Sequence, residues 1–143
     1  MPQQQHHIAT PQDVAAQLLC AWNEHDVEAL SVLYASDYEG EDVASATPNR
    51  GQQGISAAVA RYLDAFPDLQ FSAETVIEGN RAALVWQATG THAGVFMHIP
   101  PTGRKVSVRG TAFLIIEGGK ITHGVHVWDV AGLLRALGLL PEL

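Results

Sequence analysis

The chain predicts an α+β domain in which helices come first and a curved antiparallel sheet then wraps against them, leaving a central pocket. Three observations lead there. Apolar residues recur at helical spacing up to Phe66 and at a period of two from Leu69 onward. The β-rich runs are joined in pairs at Gly79-Asn80 and Gly118-Gly119, two plausible tight turns. A short apolar helix follows the last run with no linker. Helices, then a meander of strands, then one helix is the order of an α+β architecture, and a sheet curved around helices leaves a cavity where a ligand is held.

Each element has its own local reason. Thr10-Pro11 opens the first helix, because Thr caps free N–H groups and Pro is tolerated at the first helical position. Val14, Leu18, Ala21 and Trp22 give that helix one apolar face. Asn23-Glu24-His25-Asp26 breaks it, and Asp26 caps a short second helix carrying Leu30, Leu33 and Tyr34. Residues 38–43 read as polar and loose, and 45–51 as a loop. A third helix over 53–65 presents Ile55, Val59, Tyr62, Leu63 and Phe66, and Pro67 stops it. Leu69–Ile77 with Arg81–Thr91, and Lys105–Glu117 with Lys120–Trp128, form two hairpins. The closing helix, about 130–137, buries Val130, Leu133, Leu134 and Leu137. No internal repeat or second-domain boundary is visible, so residues 1–143 are expected to form one domain, with 1–9 a frayed tail.

Composition narrows the function classes. Of the 143 residues, 47% are apolar and 16% charged, which suits a packed core. A net charge of −7 argues against a nucleic-acid partner or an anionic membrane surface. Cys20 is the only cysteine, so an intrachain disulfide is excluded. With no apolar run near 18 residues and no signal-peptide core, a cytoplasmic location is expected.

Candidate chemistry concentrates near the end of the chain. With Gly118-Gly119 as a two-residue turn, Glu117 faces Lys120, Thr111 faces His126 and Arg109 faces Trp128. Alternation then puts Arg109, Thr111, Phe113, Thr122, His126 and Trp128 on one face and Ala112, Val125 and Val127 on the other; a bulge at the glycines would reverse one strand. His126 is either a general base, since imidazole titrates near neutral pH, or a half-buried histidine bonded to a neighbour. Asp129 either caps the closing helix or orients His126. Arg109 either neutralises an enolate or carboxylate or pairs with Glu74 or Glu78. His98 reads as a solvated loop residue. No metal is expected, because His123 and His126 point to opposite faces of a strand. No phosphate-cradling loop calls for a nucleotide, and no other cofactor is expected. Cys20 reads as packing. Trp22, Tyr34, Leu63, Phe66, Trp86, Phe96, Phe113 and Trp128 either wall an aromatic pocket or fill the core.

Ala21-Trp22-Asn23-Glu24-His25-Asp26 with Leu30 and Tyr34, then Phe66-Pro67-Asp68-Leu69, Thr89-Gly90-Thr91-His92-Ala93-Gly94, Ile99-Pro100-Pro101-Thr102-Gly103 and Gly132-Leu133-Leu134-Arg135-Ala136-Leu137-Gly138 occur in the order seen in one family. The chain resembles the SnoaL-like polyketide cyclases, or ester cyclases, of the nuclear-transport-factor-two-like superfamily. The resemblance implies a cone-shaped fold and a cofactor-free intramolecular aldol cyclisation of an apolar, carbonyl-containing small molecule. A lyase or isomerase on the same fold, or a protein that only binds its ligand, are the rival readings. In the family pattern an acid/base aspartate lies three residues before the Asp that leads into the closing helix. Here the leading residue is Asp129, and the acid/base position falls on His126. A second family position, often His, falls on Ala112, whereas His92 matches a family histidine. The resemblance also implies that the His126 face looks into the pocket and that a homodimer forms through the outer sheet face. There Val106, Val108, Ala112, Leu114, Ile116, Val125 and Val127 are expected to leave an apolar patch.

Overall fold

Capping chemistry sets the helices. The structure, a computed structural model, describes residues 8–141. Helix α1 (Pro11–Asn23) begins with a reciprocal capping box: the Asp13 N–H donates to the Thr10 hydroxyl, and the Thr10 N–H donates to the Asp13 carboxylate. Asp26 caps α2 (Val27–Ser31) through the Ala29 N–H. Helix α3 (Gly51–Ala65) presents Ile55, Ala58 and Val59 to the core, and α4 (Val130–Ala136) is capped by Asp129. The expected tail falls mostly outside the described residues; Ile8 and Ala9 lie against Gly119.

The sheet has six strands in the order β2-β1-β6-β5-β4-β3. Strands β3 (Gln70–Glu78) and β4 (Arg81–Thr91) form the first hairpin, and β5 (Lys105–Glu117) and β6 (Lys120–Trp128) the second. The second turns at Gly118 and Gly119, both in the left-handed region (φ 58° and 76°) that glycine enters at no steric cost. The remaining strands differ from the sequence reading. Tyr34 leaves the second helix, and Tyr34–Asp42 forms β1, pairing parallel to β6. A two-residue β2 (Asn49–Arg50) forms the outer edge.

A bulge decides which residues meet the interior. Glu117 pairs with Lys120 as expected, but Ile116 pairs with Ile121 and Ile115 with His123, so Thr122 is the extra residue. Beyond it the register is shifted by one: Ala112 faces His126 and Gly110 faces Trp128. The expected face assignment of β5 is therefore reversed. Ala112, Leu114 and Ile116 are buried in the core with Val106, and Val108 packs beside them. Arg109, Thr111 and Phe113 point outward beside Val125 and Val127. Of the expected outer patch Val125 and Val127 remain exposed, joined by Val76, Val85 and Phe113, all five 39–65% exposed.

Candidate active site

Between the helices and the concave face of the sheet lies a cavity of about 160 Å³. Its walls are mostly apolar, and aromatic rings in them touch in sequence. Trp86 meets Phe71 at 5.4 Å, Phe71 meets Trp22 at 5.0 Å, and Trp22 meets Tyr62 at 6.3 Å. Tyr62 then meets Phe96 at 5.5 Å and Trp128 at 6.5 Å. Two of these rings owe their placement to a missing side chain. Gly110 pairs with Trp86 on one side and Trp128 on the other. A Cβ there would lie 2.5 Å from the Trp86 ring and 2.6 Å from Trp128 Cβ, closer than real Cβ contacts come.

The polar groups of the wall are few, and the bonded ones gather around Asp42, the last residue of β1. Its carboxylate accepts from Trp128 Nε1 (3.0 and 3.2 Å), from the Tyr62 hydroxyl (2.9 Å) and from the Ala44 N–H (2.9 Å). One carboxylate thereby ties β1, a helix and the last strand together. In the β1–β6 ladder Asp42 is the partner of His126, which also lines the cavity. Burial pushes the His126 imidazole below its ordinary 6.5, and the negative charge of Asp42 partly opposes that shift. Burial also raises the Tyr62 phenol, with Asp42 adding to the effect. Among the described residues, no Lys or Arg side chain lines the cavity.

The structure brings together His126, Trp22, Tyr34, Phe66, Trp86, Phe96 and Trp128 around this cavity. Other expected residues lie elsewhere. Arg109 and Phe113 stand on the outer face because of the bulge at Thr122. Leu63 packs into the core beside the cavity without lining it. Asp129 is exposed and caps α4, its Oδ1 accepting from the Gly132 N–H at 2.8 Å. His92 is wholly buried outside the cavity wall, where it closes the Pro-Pro-Thr-Gly turn. Its Nδ1 accepts from the Thr102 N–H at 3.2 Å, its backbone N–H donates to the Arg104 carbonyl, and its ring packs on Phe66 at 5.5 Å. His98 is exposed in the left-handed region (φ 63°). Among the described residues, no three His, Cys, Asp or Glu side chains form a metal-binding group, and no helix is long and apolar enough to cross a membrane.

Asp42 is the residue that sequence reasoning missed. Its signal was faint: Tyr38, Gly40 and Asp42 alternate with Glu39 and Glu41 at the period of a strand, inside a stretch too polar to read as one.

Residues 12–137 match the model of the SnoaL-like polyketide cyclases. The chain belongs to that family. Solved structures agree with the assignment. TsrD from Streptomyces laurentii is 30% identical, with a TM-score of 0.80 over 90% of this chain and 95% of that one. AclR from Streptomyces galilaeus, described as a candidate hydroxylase, is 28% identical, with a TM-score of 0.83 over 96% and 90%. IdmH from Streptomyces antibioticus, described as a candidate polyketide cyclase, is 29% identical, with a TM-score of 0.79 over 91% and 99%. No curated protein matches the chain. This SnoaL-like domain thus carries a histidine, His126, on the last strand and facing the cavity, with a carboxylate beside it on the neighbouring strand.

Proposed function

We propose that this SnoaL-like protein is a cofactor-free cyclase acting on an apolar, uncharged, carbonyl-containing small molecule, with His126 as the base. The observation that carries the reading is the pairing of His126 with Asp42 at the polar part of an otherwise apolar, ring-lined cavity. A lowered imidazole pKa keeps His126 neutral at working pH, so its lone pair can take a proton. The proton comes from the carbon α to a carbonyl. The resulting enolate attacks a second carbonyl of the same molecule, closing a C–C bond, and the new alkoxide takes the proton back from the imidazolium. Asp42, held by three donors, faces that imidazolium and stabilises its charge. The assisting role considered for Asp129 and Arg109 passes to Asp42. A wall without Lys or Arg gives an anionic ligand no counter-charge, which favours a neutral substrate such as an ester over a free acid.

The protein is further read as a two-fold homodimer through the outer sheet face, whose exposed valines and Phe113 form a patch that association would cover.

Deuterium incorporation at the α-carbon of a bound model β-keto ester, followed by NMR, tests the chemistry. Wild type should catalyse exchange, and His126→Ala should abolish it while keeping its fold. Equal exchange in both would refute His126 as the base. Binding without exchange in wild type would make this a ligand-holding protein.

A further inference from the structure

Tyr38 is 1% exposed, and its hydroxyl is buried with no hydrogen-bond partner. A buried, unsatisfied hydroxyl costs free energy, so its persistence in the core calls for a reason. The surroundings supply one. Gly40 and Gly124 are partners in the β1–β6 ladder, and the tip of the Tyr38 ring lies across both. A Cβ at Gly124 would stand 2.6 Å from the Tyr38 hydroxyl and 3.4 Å from His126 Nε2, while a Cβ at Gly40 would overlap the phenol itself. The third near atom at Gly124 is Leu114 Cδ2 at 3.1 Å, which offers no hydrogen bond. Two bare backbone positions thus keep open one small space into which a phenol oxygen and an imidazole nitrogen both converge.

We infer that Tyr38 is a positioning residue for His126: unbonded as the side chains stand, its hydroxyl oxygen takes the Nε2–H across the space above Gly124 once the imidazole turns toward it. The inference rests on the reading of His126 as the base. Its consequence is a choice of tautomer: the neutral imidazole carries its proton on Nε2, and the lone pair that accepts the substrate proton is on Nδ1. The phenol suits the task because burial pushes it up to about 12, so it stays protonated while histidine titrates. The other ionisable groups at this corner are Tyr34, whose ring packs edge-on against Tyr38 at 4.7 Å, Asp42 on β1 and, bonded to Asp42, Tyr62 from α3.

The test is the tautomer of His126, read from imidazole ¹⁵N shifts of histidine-labelled protein above pH 8. Wild type should show the Nε2–H form in excess of the balance of free histidine, which itself favours Nε2–H, by up to about tenfold, the factor one net hydrogen bond supports. Tyr38→Phe keeps the ring and removes the orphan hydroxyl, so it should fold, return the two tautomers to the balance of free histidine and lower kcat with KM unchanged. Gly124→Ala, which displaces the hydroxyl, should do the same. A wild type with the proton on Nδ1, or a Tyr38→Phe spectrum identical to wild type, would overturn the inference; the wild-type spectrum alone suffices should a variant fail to fold. A locked Nε2–H tautomer in a protein without α-proton exchange would keep Tyr38 in place and remove the cyclase reading.

Discussion

Replacing Asp42 by Asn should weaken the fold modestly and His126 specifically. The carboxylate accepts from Trp128 Nε1, the Tyr62 hydroxyl and the Ala44 N–H. An Asn can keep Oδ1 on Ala44 and Trp128 and turn its amide toward the Tyr62 oxygen, but the Tyr62 O–H then loses its acceptor and must turn to the open cavity. The charge is lost as well. Bonds to a charged acceptor are worth about 1.5–3 kcal/mol against roughly 1 for neutral ones. The site is half-buried and open to the cavity, so water recovers part of the difference. A net loss of about 1–2 kcal/mol follows, or roughly 2–8 °C in Tm for a chain of this size. The second effect is electrostatic. Asp42 holds the His126 pKa up against burial, so Asp42→Asn should move it further below 6.5. Urea unfolding with an unchanged m-value measures the first effect, and an NMR titration of the His126 imidazole measures the second. An unaltered urea midpoint together with a His126 pKa that stays or rises would refute the pairing.

Three further outcomes can be checked. Because the native pKa of His126 lies below 6.5, the stability this neutral group contributes is fully present above that value and lost as pH falls through the native pKa; kcat/KM should decline over the same acid limb, and a pH–rate profile rising toward acid would contradict it. Asp129→Ala should cost about 0.5–2 kcal/mol through the lost cap of α4 while leaving α-proton exchange unchanged, as paired denaturation and exchange measurements would show. Phe113→Arg, at a 42% exposed outward position, should convert a dimer to monomers by light scattering at micromolar concentration, and a wild type that is already monomeric would end the dimer reading.

Helices and hairpins were legible because their signals are local. Thr10, Asp26 and the paired turn glycines announce boundaries through chemistry that acts within three or four residues. Strand β1 was not, because its acidic outward residues and glycine lower its own preference for extended structure, and its pairing with β6, some eighty residues away, supplies what propensity does not. The bulge at Thr122 was equally silent: threonine is an ordinary strand residue, and only the packing of Ala112, Leu114 and Ile116 inward demands the slip. That single extra residue carried Arg109 and Phe113 out of the site. His126 and Trp128 escaped the error because they lie on the strand whose facing was assigned correctly. The family pattern pointed to His126, but it marked nothing at its companion Asp42.

Gly110 gives the ligand space an unusual kind of control. Trp86 and Trp128 lie to either side of it across three strands, and both occupy room that any side chain there would claim. The bore of the chamber is therefore governed from behind its lining. One methyl group at residue 110 would press on the Trp86 ring, the Trp128 Cβ and the Val127 carbonyl, crowding the passage from behind two of its indoles. On the proposed reading, the size of molecule this domain accepts is thus set in part by a residue that need not meet the substrate, apart from the groups proposed to move the proton.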